Sequence, residues 1–196
     1  NGVSAQTSSK VVQGTGATPA AITIGGANPF SFGSIANNGT VDGTVTITNT
    51  GGVPATSLGV TGVTTAPYSF KGGGAFPGTG GTCTTSLAAS ASCTFVLTFS
   101  PTTLGTHTGT MSVGFDNGLT TTASTRNYTG TAVAPASLTV SDVGYDYGTV
   151  ATGGTASKTF TISNSGAVSA TSLTGTGLAA PFAFPGSVFP GGGTCS

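Results

Sequence analysis

The chain has 196 residues, of which 4% are charged; four are Lys or Arg, four are Asp or Glu, and the formal net charge is zero. Such a composition lacks the basic surface of a nucleic-acid-binding protein and the acidic block of a charged tail. No apolar run approaches the roughly 18 residues of a membrane-spanning helix, so we expect no membrane span. Glycine is abundant, at 34 residues, but Val, Ile, Thr and Phe recur in alternation, which indicates a folded chain of strands and turns.

The first predicted strands alternate apolar and polar residues, which is the pattern of a strand with one buried face. "AITI" at residues 21–24 opens the series. In "FSFG", Phe30 and Phe32 lie on one face, and in "GTVTITNTGG", Val45 and Ile47 point inward while the neighbouring threonines point outward. We therefore expect these segments to contribute one face each to a common core.

The later predicted strands follow the same alternation. The residues predicted to face the core are Leu58 and Val63 in "ATSLGVTGV", Phe95, Leu97 and Phe99 in "CTFVLTFSP", Met111, Val113 and Phe115 in "GTHTGTMSVGF", and Tyr128 in "STRNYTGTAV". About seven or eight short strands within roughly 115 residues predict an all-β fold, an antiparallel immunoglobulin-like β-sandwich.

The sequence repeats itself, which predicts tandem modules. Residues 1–24 align without a gap with residues 117–140, so that Lys10 matches Arg126 at an offset of 116 (126 − 10). Further along, "GGTC" recurs at an offset of 112 (195 − 83). Loop deletions would produce such a small change of offset.

The alignment divides the chain into three parts. Residues 1–19 would be the closing strand of a preceding repeat, residues 20–135 a complete repeat, and residues 136–196 the first half of a following repeat. Either the sequence is cut from a longer array, which is the more economical explanation, or a neighbouring subunit supplies the missing strands by donating its N-terminal segment.

Three segments together resemble a known family: "FSFGSIANNGTVDGTVTITNTGGVPATSL", "SLAASASCTFVLTFSPTTLGTHTGTMSV" and "YTGTAV". They are similar to the bacterial choice-of-anchor D repeats, within the wider immunoglobulin-like group related to abnormal-spindle, SPD-2 and Hydin (ASH) domains. The resemblance implies secreted or surface-anchored proteins of many repeats, with no catalytic residue to carry over. The very low charge and the half-length last copy depart from the family pattern.

The cysteines fit such a setting. Cys83 and Cys93 are a close pair in a predicted secreted β domain, which favours a disulfide over two reduced thiols. A metal site would need further ligands, and the chain has one His. Cys195 is unpaired in this sequence and would be the first half of the same bridge in the next repeat; were the chain to end there, it would be a free thiol or an interchain partner.

The remaining polar candidates favour structural interpretations. His107 has no recognisable nucleophile and acid beside it and is expected near a strand end at the surface. Asp142 and Asp146 are expected to be solvated loop acids, because a calcium site needs more oxygen ligands than this chain offers. Lys10 and Arg126 occupy matching strand positions and are expected to be solvated.

Two Gly-rich loops carry aromatic residues in matching places. Phe76 lies in "FKGGGAFPGTGG" and Phe189 in "FPGSVFPGGG". The loops follow no phosphate-binding spacing. We expect them to pack against the sandwich or to meet a neighbouring molecule, since aromatic residues are enriched in interfaces.

The sequence predicts a structural, extracellular tandem repeat protein of a surface stalk, adhesin or filament, with other copies or neighbouring repeats as partners. The alternative is an adhesion module that binds a surface glycan or protein through loops at the sandwich ends. No enzyme activity, cofactor, metal or nucleic acid is expected, because the motifs contain no acid/base pair or nucleophile constellation.

Overall fold

The fold is described by a computed structural model that covers residues 2, 4 and 7–195. In these residues the chain is all-β, with eleven strands and one short 3₁₀ turn at Pro185–Ser187. The strands are β1 (Ile22–Ile24), β2 (Phe30–Ala36), β3 (Val41–Asn49), β4 (Ala55–Thr61), β5 (Tyr68–Phe70), β6 (Ser86–Leu87), β7 (Ser92–Phe99), β8 (Gly105–Asp116), β9 (Thr121–Val133), β10 (Leu138–Val140) and β11 (Ile162–Asn164).

The first nine strands form an immunoglobulin-like sandwich of two sheets, here called the complete sandwich and comprising residues 20–133. One sheet has the order β1-β3-β7-β5 and the other the order β2-β9-β8-β4-β6. Among the described strand pairs, all are antiparallel except β2 and β9, which run parallel. The expectation of a wholly antiparallel sandwich is therefore wrong at this pair, because the chain changes sheet across residues 25–29 and brings β2 alongside the closing strand in the same direction.

The core lies between the two sheets and is built from the residues that alternation places inward. Phe95, Leu97 and Phe99 of β7 are fully buried, and they face Met111 of β8 across the core. Close packing also requires a glycine in β9: a Cβ at Gly130 would lie 2.6 Å from Cε1 of Phe99. The inward-facing positions thus include both large side chains and a glycine, Gly130, which leaves room for the ring of Phe99.

Aromatic rings fill one end of this core. The ring of Tyr68 lies 4.9 Å from that of Phe99 and 4.5 Å from that of Tyr128, measured between centroids. Its hydroxyl donates a hydrogen bond of 2.8 Å to the carbonyl oxygen of His107. Burial raises the pKa of Tyr68 from 10.0 to about 12, and the neighbouring Tyr128 makes the second-largest contribution to this rise.

Asn49, at the end of β3, is a completely buried polar residue. Its Oδ1 accepts hydrogen bonds from the backbone N–H groups of Ala21, at 3.1 Å, and Gly51, at 3.0 Å. Its Nδ2 donates to the carbonyl oxygens of Leu87, at 3.2 Å, and Ala88, at 3.3 Å. One side chain therefore joins the residue before β1 and the turn after β3 to the end of β6 and the segment that precedes β7.

Residues 136–195 contain a smaller sheet whose pairing matches that of β1 and β3. β10 and β11 are antiparallel, with Leu138 aligned with Asn164; in the complete sandwich Ile22 is aligned with Asn49 in the same way. Asn164 Oδ1 accepts hydrogen bonds from Ser137 N, at 3.0 Å, and from Gly166 N, at 2.9 Å. These are the bonds that Asn49 makes in the complete sandwich.

The predicted closing strand in residues 1–19 lies partly outside the described residues. Residues 7–19, which are described, are exposed and form no strand. Their sequence counterparts in β9 are paired with β8 and β2. The division of the chain into successive repeats stays a prediction.

Replacing Asn49 by Ala is expected to lower the free energy of unfolding of the complete sandwich by about 2–4 kcal/mol, because buried donors and acceptors would lose their partners. Urea unfolding followed by circular dichroism measures the change. Asn164→Ala is the matched control: that side chain is exposed, and we expect a change below about 0.5 kcal/mol for the same transition. Equal effects of the two substitutions would contradict the assigned role of Asn49.

Alkaline pH is expected to destabilise the complete sandwich through Tyr68. The pKa is raised in the folded state, so the stabilisation is fully present below pH 10.0 and is lost as the pH rises toward about 12. Urea unfolding between pH 8 and 12, in a Cys195→Ser background that prevents thiol exchange, should show this loss. Tyr68→Phe should reduce the decline but leave a part of it, because burial also raises the pKa of Tyr128, whereas Tyr145→Phe, at an exposed tyrosine, should leave it unchanged.

Candidate functional site

His107 lies near the start of β8 in contact with the core and not with catalytic partners. Its ring centroid is 5.8 Å from that of Phe99, and its Nε2 is 3.0 Å from the carbonyl oxygen of Thr103. It borders a shallow depression whose lining includes Pro67 and Ser100 but no acidic side chain. The lining therefore holds no carboxylate to orient this imidazole.

Asp142 and Asp146 each bind a nearby group. Asp142 forms an ion pair with Lys158 at 2.9 Å, and the hydrogen bond between them raises the pKa of Lys158. Asp146 Oδ1 accepts a hydrogen bond of 2.8 Å from the N–H of Gly148, two residues further along the chain. In residues 2, 4 and 7–195, no group of three or more His, Cys, Asp or Glu side chains is arranged to hold a metal ion.

The first Gly-rich loop packs against the sandwich through Lys71 and Phe76. Lys71 forms an ion pair of 2.9 Å with Asp42, which also accepts a hydrogen bond of 2.7 Å from Thr98. The bond from Thr98, followed by that from Lys71, lowers the pKa of Asp42. Phe76 sits 6.0 Å from Phe95, between ring centroids, so the loop covers the end of the core.

Arg126 has a structural role that the sequence did not reveal. The expectation of a solvated side chain is wrong: the guanidinium donates to the carbonyl oxygens of Ile24, Gly26 and Ala27, the last at 2.8 Å. These carbonyls belong to the segment in which the chain leaves one sheet for the other. The planar, forked donors of arginine suit such a cluster of carbonyls.

Cys83 and Cys93, the predicted pair, are joined by a disulfide and are both buried. The bridge links the segment that leads into β6 to the second residue of β7, with a separation of 4.9 Å between the two Cα atoms. The N–H of Cys83 also donates a hydrogen bond of 3.0 Å to the carbonyl oxygen of Thr94. Cys195 forms no disulfide with the residues that the structure describes and is partly exposed.

In residues 136–195, several apolar side chains are exposed although their counterparts in the complete sandwich are buried. Val63 is completely buried, but its counterpart Leu178 is 51% exposed; Tyr68 is 3% exposed and its counterpart Phe182 is 55% exposed. The exposed large apolar side chains in this part of the chain are Leu138, Val140, Val143, Tyr145, Val150, Phe160, Leu178, Phe182 and Val188.

No protein-family model matches the chain, and no curated protein matches it. Among solved structures, it is similar to the ASH or PapD-like domain 7 of human CEP192, with 16% identity and a TM-score of 0.43 over 66% of this chain and 98% of that domain. It is also similar to the VesB protease of Vibrio cholerae, with 16% identity and a TM-score of 0.44 over 57% of this chain and 32% of VesB. For the secreted protease VesC of the same organism the identity is 19% and the TM-score 0.41, over 60% of this chain and 24% of VesC.

A search for helices long and apolar enough to cross a membrane finds none in the described part of the chain.

Removing the disulfide through the double substitution Cys83→Ser and Cys93→Ser should lower the free energy of unfolding by about 2–3 kcal/mol, because the unfolded chain regains the freedom of the closed loop. Urea unfolding under non-reducing conditions measures this loss. The matched control is Cys195→Ser, which removes a thiol without opening a loop and should leave the midpoint unchanged. A double variant as stable as the parent would show that the bridge adds nothing to the fold.

Proposed function

We propose that this chain is a section of an extracellular structural protein built from tandem immunoglobulin-like modules, part of a surface stalk, adhesin or filament of the choice-of-anchor D type. The observation that carries the proposal is the matching geometry of the two halves: β10 and β11 have the register of β1 and β3, and Asn164 Oδ1 accepts from the backbone N–H groups equivalent to those that bond Asn49 Oδ1. In this arrangement residues 1–19 close one module, residues 20–135 form the next, and residues 136–196 begin a third. The proposed role is mechanical, and it requires no catalytic residue.

The link between the modules supports a stiff connection. Asn37 of the complete sandwich donates a hydrogen bond of 2.8 Å from its N–H to the carbonyl oxygen of Val133, where the link begins. On the other side, a Cβ at Gly166 would lie 2.6 Å from Cα of Ala136, so the link lies directly on that glycine. Short, tightly packed links transmit force and orientation better than flexible Gly/Ser linkers.

The nearly uncharged surface supports close lateral packing of such modules. Hydroxyl side chains pair across strands on the outer faces; Thr48 Oγ1 lies 2.7 Å from Ser92 Oγ, and Thr106 Oγ1 lies 3.3 Å from Thr131 Oγ1. Charge normally keeps proteins apart in solution, and its scarcity leaves contacts that salt does not screen. The disulfide is compatible with an oxidising, extracellular setting.

The proposed function can be tested on the protein isolated from the cells that produce it. Antibodies to residues 20–133 should detect, in cells that produce the protein, a polypeptide far larger than 18.6 kDa that protease removes from intact cells. Electron micrographs of the purified material should show strings of similar beads. A native protein close to 18.6 kDa, protected inside the cell and with its cysteines reduced, would contradict the proposal.

A further inference from the structure

The turn between β8 and β9 contains an Asn–Gly pair, Asn117–Gly118. In such a pair the backbone nitrogen of the glycine can attack the side-chain amide carbon of the asparagine, because glycine has no Cβ to crowd the approach. Two requirements keep this reaction slow in an ordinary chain: the nitrogen must lose its proton, and the amide oxygen must take up negative charge. The surroundings of Asn117 meet both requirements.

The side-chain oxygen of Asn117 is held by two backbone donors. Its Oδ1 accepts hydrogen bonds of 2.9 Å from the N–H of Leu119 and 2.9 Å from the N–H of Thr120. When a nitrogen attacks the amide carbon, negative charge develops on this same oxygen. Two fixed N–H groups at this distance form an oxyanion hole, in which each donor is worth roughly 10²–10³ in the rate of an enzyme.

A carboxylate holds the attacking nitrogen. The N–H of Gly118 donates a hydrogen bond of 2.8 Å to Oδ1 of Asp116. A base at this distance can take the proton as the nitrogen attacks. Gly118 is also exposed, so water reaches the site. Residues 116–120 thus bring together a nucleophile, a base, an electrophilic carbon and an oxyanion hole.

We propose that Asn117 is a self-modifying site, at which the folded turn converts the asparagine through a succinimide to aspartate and isoaspartate, with water as the co-reactant. The site is independent of the tandem-module function, because all of its groups lie within five consecutive residues. Asn1–Gly2 aligns with Asn117–Gly118 at the offset of 116 (117 − 1), so the pair recurs at the same place in the sequence pattern.

The steps balance in atoms and electrons. The nitrogen of Gly118 forms a bond to Cγ of Asn117, its proton passes to the carboxylate of Asp116, and the negative charge moves to Oδ1. The bond between Cγ and Nδ2 then breaks, and Nδ2 leaves as ammonia with the proton that Asp116 held. Water opens the five-membered ring at one carbonyl to give aspartate, or at the other to give isoaspartate. Nothing is oxidised or reduced.

The reaction changes the chain where the sandwich contacts the segment before β1. The carbonyl oxygen of Asn117 accepts a hydrogen bond of 3.0 Å from the N–H of Ala20. Isoaspartate adds one carbon atom to the main chain at residue 117, and both products add a negative charge beside Asp116. Lengthening the main chain displaces the carbonyl, so the modification weakens the attachment of this segment to the β8–β9 turn.

Asn38–Gly39 is a natural control, because it is the same pair without this arrangement. Asn38 is exposed and lies in the turn between β2 and β3. The N–H of Gly39 donates to the carbonyl oxygen of Ala36 at 2.8 Å. A neutral carbonyl is a much weaker base than a carboxylate, so the nitrogen of Gly39 is not activated as that of Gly118 is.

The test compares the two pairs in the folded and the unfolded chain. The purified protein is incubated at neutral pH with and without guanidinium chloride and is then digested with trypsin, which cuts after Lys and Arg. Asn117 is the one asparagine of fragment 72–126, whereas Asn38 lies in fragment 11–71. Mass spectrometry measures the conversion of amide to acid in each fragment, and an isoaspartate methyltransferase assay identifies the isoaspartate.

In the folded protein Asn117 should convert at least about tenfold faster than Asn38, and at least about tenfold faster than Asn117 itself in guanidinium chloride, because unfolding removes the oxyanion hole and the base. In the denaturant the two pairs should react at similar rates. If Asn117 reacts no faster in the folded chain than in the unfolded one, the proposed site is wrong.

The substitution Asp116→Asn tests the base. It keeps an oxygen that accepts the hydrogen bond from Gly118 but removes the group that takes the proton, so conversion of Asn117 should slow by at least about tenfold. Fragment-ion sequencing distinguishes residue 117 from the new asparagine. Asp146→Asn is the matched control, because Asp146 also accepts from an N–H two residues further along, that of Gly148, and it should leave the rate at Asn117 unchanged. Equal rates for the parent and the Asp116→Asn protein, with the same circular dichroism spectrum, would contradict the assigned base.

Discussion

Burial of β7 is the constraint on which the rest of the sandwich depends. β7 lies between β3 and β5, and it places Phe95, Leu97 and Phe99 at the centre of the core with no exposed surface. The strands that precede β7 in the chain carry apolar faces that it covers together with β8 and β9. Those contacts join residues far apart in sequence, so strands from both halves of residues 20–133 contribute to a single core.

Two interactions fix the position at which β7 joins the strands that precede it in the chain. Asn49 bonds the carbonyl oxygens that lie just before β7, and the disulfide between Cys83 and Cys93 holds the start of that strand. Both act at the same end of the strand, so β7 enters the sheet from an anchored position. Asymmetric anchoring of this kind specifies register, because a slip of one residue would turn the apolar face of β7 outward.

Alternation of residue type predicted the core, including the inward positions of Val45, Ile47 and Met111, because burial on one face of a strand is a local property of the sequence. It did not predict the parallel pairing of β2 with β9, which depends on where the chain changes sheet. It also misassigned Arg126, whose carbonyl partners lie about a hundred residues earlier in the chain and meet it only after folding. Interactions between distant segments leave no periodic signal in a single sequence.

The contrast between the two halves of the chain shows what a strand requires here. "TVTITN" forms most of β3, whereas the equivalent "TFTISN" is a strand only at Ile162–Asn164, where β10 lies beside it. The two segments have similar strand propensities but different pairing: β3 pairs with both β1 and β7, whereas β11 pairs with β10 alone among the described strands. In this protein strand formation follows from pairing and burial, since residues of similar composition form a strand where a neighbouring strand lies beside them and not elsewhere.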